Sequence, residues 1–226
     1  MRLSDCSNLG EGVLAEATRA RRVIEGVCLA ALALAALSGC GSIKPVRYYT
    51  LTHPPTSSLG GAQQAPLDVT LLVRLFQTSH LYREDRIVYG GDTVQLGLYE
   101  NDRWTEPPVE LLQDALARGL RSSGSFRAVT TLRSDASAEY CLMGQLYTFR
   151  EVASGGGGII GRLNYDVELV DLKRGKALWR HRYNHDEPVA GKSVADVVAA
   201  LDKNVQQSVQ EVQDGVVREL SSYTRK

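Results

Sequence analysis

The sequence predicts an α+β fold: a mainly antiparallel β-sheet with two α-helices packed on one face, preceded by a leader that is cleaved off. Three observations carry this expectation. Beyond residue 46, apolar and polar residues alternate in several runs, the period-two signature of strands with one covered face. Two stretches instead repeat apolar residues every three or four positions, as an amphipathic helix does. The one long unbroken apolar run, from Val27 to Leu37, lies ahead of all of these and behind a group of arginines.

That leader is justified first. Arg19, Arg21 and Arg22 followed by Val27 to Leu37 have the layout of an export signal, whose apolar part runs to roughly 7–15 residues. A bilayer-spanning helix needs about 20. The run ends in Leu37-Ser38-Gly39-Cys40, which resembles the lipobox of bacterial lipoproteins. In that class the chain is cut before the cysteine, the thiol takes a diacylglyceryl group and the new amine is acylated. An ordinary secretory signal or an uncleaved anchor is the competing reading. Each buried CH₂ of an acyl chain contributes about 0.8 kcal/mol and a single chain anchors only reversibly, so the full set of chains on Cys40 makes a lasting membrane attachment. Gly41 and Ser42, where an aspartate would favour retention in the inner membrane, point to the periplasmic leaflet of the outer membrane. The expected organisation is residues 1–39 signal, 40–46 lipidated tether and 47–226 a single domain.

In the domain, "RYYTL" reads as a first strand and "THPPTSSLGGAQQAP" as a solvated loop. "LDVTLLVRL" places Val69, Leu71, Val73 and Leu75 on one face of a half-buried strand. "RIVYGGDTVQLGLY" reads as two strands about the turn Gly90-Gly91-Asp92. In "WTEPPVELLQDALARGLRSSG" the prolines suit a helix's first turn, where an N–H has no partner to lose. Val109, Leu112, Leu116 and Leu120 then recur at helical spacing. "FRAVTT", "AEYCLMGQLYTFREV", "RLNYDVELVDL" and "ALWRHRYN" continue the strands, with Gly175 turning between the last two. A second helix starts at Ser193 with Asp196 in capping-box position, and its stripe runs from Val194 to Leu220. At about 1.5 Å per residue it is a rod of about 45 Å, long enough for one end to project.

Composition narrows the function classes. Lys plus Arg equal Asp plus Glu at 26 each, and the leader removes four of each sign, so the mature chain is neutral and has no pull on a polyanion such as nucleic acid. Cys6 and Cys28 leave with the signal, Cys40 is lipidated, and Cys141 is left without a disulfide partner in an apolar strand, where it reads as an inert thiol.

No catalytic constellation emerges. No G-x-S-x-G context surrounds a serine. "SGGGGIIG" lacks the Lys-Ser/Thr ending of a phosphate loop and does not open a helix, so it reads as a hairpin tip. Ile159 and Ile160 beside those glycines either fold into the core or touch lipid or a partner. His181 and His185 fall on a strand, about 13 Å apart, too far to share a metal ion; no metal and no cofactor is expected beyond the covalent diacylglyceryl and N-acyl groups on Cys40. Tyr82, Arg83, Asp85 and Arg86 form a polar cluster, read either as a protein contact or as a local salt-bridged turn worth little. Trp104 and Pro107 are read as structural residues that lead into the first helix.

"RYYTL", "LYREDRIVY", "RWTEPPVELLQDALARGL", "FRAV", "YCLMGQLYTF", "VELVDLKRGKALW" and "SVADVVAALDKNVQQ" stand in the order found in the ABC-type transport auxiliary lipoproteins, and the chain resembles that family, in particular its PqiC-like group, over residues 47–220. The Arg103-Trp104 pair leading into Glu106-Pro107 carries the resemblance furthest. It implies a non-enzymatic accessory subunit of an ABC system that moves lipid or other hydrophobic molecules. The implied partner is an MCE-domain protein whose conduit it docks at the outer membrane. A free-standing lipid carrier is the alternative, and self-association into a homo-oligomer is a further expectation.

Overall fold

The computed structural model describes residues 44–52, 66–91, 95–131 and 138–223. The lipobox residues Leu37, Ser38, Gly39 and Cys40, together with His53 and Asp92, lie outside these. The order of elements is β1 (Arg47–Tyr49), β2 (Leu67–Val73), β3 (Gln77–Thr78), β4 (Arg86–Gly90), β5 (Gly97–Trp104), α1 (Pro108–Ser122), β6 (Phe126–Thr130), β7 (Tyr140–Ala153), β8 (Ile159–Asp171), β9 (Lys176–Pro188) and α2 (Val194–Tyr223). A 3-10 turn, His80–Arg83, joins β3 to β4. All of these belong to one compact unit, Pro45–Lys226.

The fourteen-residue β7 organises the sheet. Along one edge it pairs continuously and antiparallel with β8, which pairs in the same sense with β9. Along its other edge it receives three short strands in succession, all parallel: β2 at Tyr140–Leu142, β3 at Gln145–Leu146 and β4 at Glu151–Val152. β6 adds to β2 in parallel, β5 to β4 antiparallel, and β1 to β5 in parallel. The sheet is therefore mixed, which corrects the expectation of a mainly antiparallel one. The physical reason is that β1 to β4 find partners distant in sequence, and alternation within a strand reports which face is covered but not the direction of the neighbour.

A second correction concerns β2. Val69 to Val73 are all buried, so side chains on both faces of this strand are covered; on the face away from the core residues Val69, Leu71 and Val73, the Arg127 guanidinium donates to Thr70 Oγ1. Leu75 lies beyond the strand and is 50 % exposed instead of continuing its apolar face. In β7 the register shifts between Leu146 and Thr148. The extra residue of this bulge, Tyr147, is exposed, while Leu146 and Phe149 on either side remain buried.

Both helices share one apolar core with the sheet. α1 packs on β2, β6 and the 3-10 turn, α2 on β8 and β9, and the helices meet each other. They meet at Gly119: a Cβ there would lie 2.2 Å from a Val209 methyl, so only glycine permits this approach. Pro107 and Pro108 occupy the N-cap and first positions of α1. The capping box of α2 forms reciprocally, with the Ser193 N–H donating to Asp196 Oδ2 at 3.0 Å and the Asp196 N–H donating to Ser193 Oγ at 3.2 Å. Buried residues of α2 extend from Val194 to Leu220, so its thirty residues pack along their length and neither end projects. One polar staple joins it to the meander. Asn204, fully buried, donates to the carbonyls of Gly161 and His185 at 3.0 Å each and accepts from Tyr183 Oη at 2.8 Å.

Candidate functional site

The residues singled out in the sequence are dispersed. In the cluster near the 3-10 turn, Tyr82 is buried, Arg83 is exposed, and Asp85 and Arg86 are half-buried. Asp85 accepts from Arg103 Nη1 at 2.9 Å, and its carbonyl accepts from the Trp104 N–H at 2.7 Å. The turn is thus clipped to β5, and Tyr82 has no exposed face to offer a partner. Trp104 is 1 % exposed, its ring centroid 5.3 Å from that of Phe149.

Ile159 and Ile160 open β8 directly after the tip Ser154–Gly158. The tip closes tightly: the Ser154 N–H donates to Gly158 O, the Gly157 N–H donates to Ser154 O, and Gly157 adopts a φ of +79°. Both isoleucines are half-buried; Ile159 packs against the core and Ile160 pairs across to Val152 and Pro188.

Sequence reading missed the outer face of the β7–β9 meander. On β8 the buried Leu163, Tyr165, Val167 and Leu169 alternate with half-buried Arg162, Asn164, Asp166 and Glu168. Each of these meets a polar residue of β9 in register. Arg182 grips Asp166 with two hydrogen bonds, 2.7 and 2.9 Å, and Tyr147 Oη donates to the same carboxylate at 3.0 Å. Arg162 grips Asp186 likewise at 2.6 and 2.8 Å, and Arg180 reaches Glu168 at 3.1 Å. The Arg182 guanidinium holds Asp166, and Arg162 holds Asp186, below the ordinary carboxylate range. Beside this ladder lies an open groove of about 650 Å³, whose walls include Arg74, Leu75, Met143, Tyr147 and Arg180. Arg74 forms no ion pair among the described residues, so the groove offers one free cation beside exposed Leu75 and Tyr147. The signal was present in "RLNYDVELVD" facing "RHRYNHD", and only the register turns it into pairs.

Among the described residues this face is open and polar, and no nucleophile and base meet on it. Its carboxylates are neutralised by arginine. Cys141 is fully buried and burial pushes its thiol up, away from the reactive thiolate. His181 Nε2 sits 3.1 Å from Glu211 of α2, while His185 is exposed further along β9.

Comparison with known proteins gives consistent results. The model of the family described as ABC-type transport auxiliary lipoprotein component matches residues 49–213. No curated protein matches. Among solved structures, a Xanthomonas campestris protein of the domain family DUF330 superposes with a TM-score of 0.70 at 19 % identity, covering 80 % of this chain and all of that one. A second structure, of an uncharacterized protein, superposes with a TM-score of 0.60 at 15 % identity, covering 76 % of this chain and 99 % of its own. At these identities the likeness is one of fold.

Proposed function

The chain belongs to the ABC-type transport auxiliary lipoprotein family, and on that premise we propose that it is a non-enzymatic, lipid-anchored accessory subunit of an envelope ABC transport system for lipids or other hydrophobic molecules. Cys40 is the acylated residue, and the domain is held on the periplasmic leaflet of the outer membrane. Its partner is an MCE-domain protein whose conduit it docks there, with ATP hydrolysed by another subunit. It acts as a homo-oligomer in this role.

The observation that carries the reading is the family match over most of the domain, joined to a sequence that reaches the domain through an apolar leader ending at a lipobox-like cysteine. The surface adds support: it carries arginine–carboxylate ladders and an open groove, while Cys141 is buried and His181 faces Glu211. The alternative of a free-standing carrier needs room for a lipid between helices and sheet. That space is occupied by the protein's own side chains, among them Leu163, Tyr165, Leu201 and Val212, each 0 % exposed.

The test is affinity purification of the lipidated protein from detergent-solubilised membranes, with identification of co-purifying proteins. Recovery of an MCE-domain protein, with its permease or ATPase, is expected. The lipoprotein recovered alone, with lipid bound stoichiometrically, would overturn the adaptor in favour of the carrier.

A further inference from the structure

We infer that the groove on the outer face of the β7–β9 meander seats an extended segment of a partner protein, one that brings a carboxylate to Arg74 and an apolar side chain to Leu75 and Tyr147. The inference rests on the proposal that the chain is an accessory subunit with a protein partner, and it names where that partner is held.

Charge supplies the first argument. The ladder on this face matches arginine and carboxylate one to one: Arg182 with Asp166, Arg162 with Asp186, Arg180 with Glu168. Arg74 lines the groove and forms no ion pair among the described residues. Arg150 forms none there either. It pairs in register with Arg162, which sets both on one face, and its Nε is buried without a hydrogen-bond partner. Arg74 and Arg150 are thus cations that the ladder does not neutralise, and a guanidinium fork matches a carboxylate. An anionic bilayer would press its headgroups on Asp166 and Glu168 as well, whereas a peptide places a single carboxylate on Arg74.

The backbone supplies the second, because it holds the apolar contacts outward. β2 leaves β7 after Val73, where the Arg74 N–H donates to the Leu142 carbonyl at 2.9 Å, and β3 rejoins it at Gln77. Between these points Phe76 turns into the core, its ring 5.7 Å from that of Tyr165. Gly144 leaves room for it: a Cβ there would come within 2.8 Å of the Phe76 ring. With Arg74 tied and Phe76 seated, Leu75 is left facing out. On β7 the bulge exposes Tyr147, whose hydroxyl is fixed on Asp166. Gln77 and Gln145, both exposed and paired in register, line the same groove and offer amide donors and acceptors to a peptide backbone. Arginine, tyrosine and methionine are enriched where proteins meet, and here Arg74, Tyr147 and Met143 line one groove.

The experiment uses the full chain in the cells that make it. The photoreactive residue p-benzoylphenylalanine replaces Leu75, Tyr147 or, as a control in the β8–β9 turn, Lys173, one at a time. After irradiation the chain is purified from membranes and the attached peptide is sequenced by mass spectrometry. Positions 75 and 147 are expected to attach to one segment of another protein, with an acidic residue beside an apolar one, and position 173 is not. Arg74→Glu, with its melting temperature as the folding check, is expected to lower that product at least about tenfold, the size of one lost charge-assisted hydrogen bond. Arg74→Gln lowers it less, and a lysine in place of the segment's acidic residue restores it in the Arg74→Glu chain. Attachment to lipid, to a second copy of this chain or to a segment without an acidic residue overturns the inference, as does a yield that Arg74→Glu leaves unchanged. Co-purification from the same cells separates the two levels. A partner that co-purifies but is not attached at 75 or 147 removes this inference alone, whereas a chain that brings no protein with it removes the accessory role as well.

Discussion

The two edges of β7 are built differently. Toward β8 and β9 the strands are long, consecutive in sequence and antiparallel, and their backbone ladders run nearly the whole strand length. Toward β1 to β6 the strands are short, mostly parallel and drawn from distant segments, and each joint carries a side-chain clasp as well. Asp102, 5 % exposed, accepts from Arg47 and Tyr49 and ties β1 to β5. Arg127 of β6 reaches Asp68 and Thr70 of β2 and also Glu139, whose carboxylate accepts from the Thr70 N–H at 2.6 Å. Thr78 Oγ1 donates to the Leu146 carbonyl across the β3–β7 joint, and Tyr99 Oη to Glu151. A short parallel ladder has to meet a loop-closure cost, and these side-chain hydrogen bonds, most of them partly buried, add to the ladder.

The comparison is broken most severely through the core of the clasped half. Trp104→Ala is expected to cost about 3–5 kcal/mol by chemical denaturation, since a large, fully buried ring leaves a cavity that the short strands around it cannot close. Asn204→Ala tests the staple between α2 and the meander. It leaves the carbonyls of Gly161 and His185 without this donor, while the Tyr183 hydroxyl keeps the Asn204 backbone carbonyl, an expected loss of about 1–3 kcal/mol for each carbonyl that stays dry. Gly119→Ala drives a methyl into Val209 and is expected to cost about 1–3 kcal/mol.

Asp102→Ala sharpens the contrast. Hydrogen exchange of Tyr48 and Tyr49 should accelerate while that of β8 and β9 is unchanged, because β1 has three residues of ladder and this one clasp. Uniform acceleration over the sheet would show that the halves unfold as one. The smallest effect is expected on the meander's outer ladder, where Arg182→Ala removes a pair that is largely exposed and adds little to stability. Its signature is in pH. Asp166 and Asp186 titrate below the ordinary aspartate value of 3.8, so the stability they add is present above that value and lost as pH falls through their lowered folded values. Thermal melts of Asp166→Asn should therefore show a shallower decline below pH 4 than those of the parent chain.

The same division explains what was legible in the sequence. β7, β8, β9, both helices and their caps are local: alternation, the turn at Gly175, the prolines before α1 and the Ser193–Asp196 box each act within a few residues. The pairing of β2, β3 and β4 onto β7 is not encoded in any one of those segments. β2 read as half-buried because its own alternation cannot show that Thr70 and Leu72 are buried too. The two-residue β3 is shorter than any periodic signal. The candidate site residues follow suit: Ile159 and Ile160 stood out beside their glycines, whereas their neighbours Val152 and Pro188 emerge only from strand register. The Arg182–Asp166 ladder likewise needs the register.

The account stands on the anchor, and the most direct measurement of it is the mass of the mature N-terminus in protein isolated from membranes. A chain beginning at Cys40, with a diacylglyceryl group on the thiol and an acyl group on the amine, is the predicted result. A chain that keeps residues 1–39, or that begins elsewhere without lipid, would contradict it.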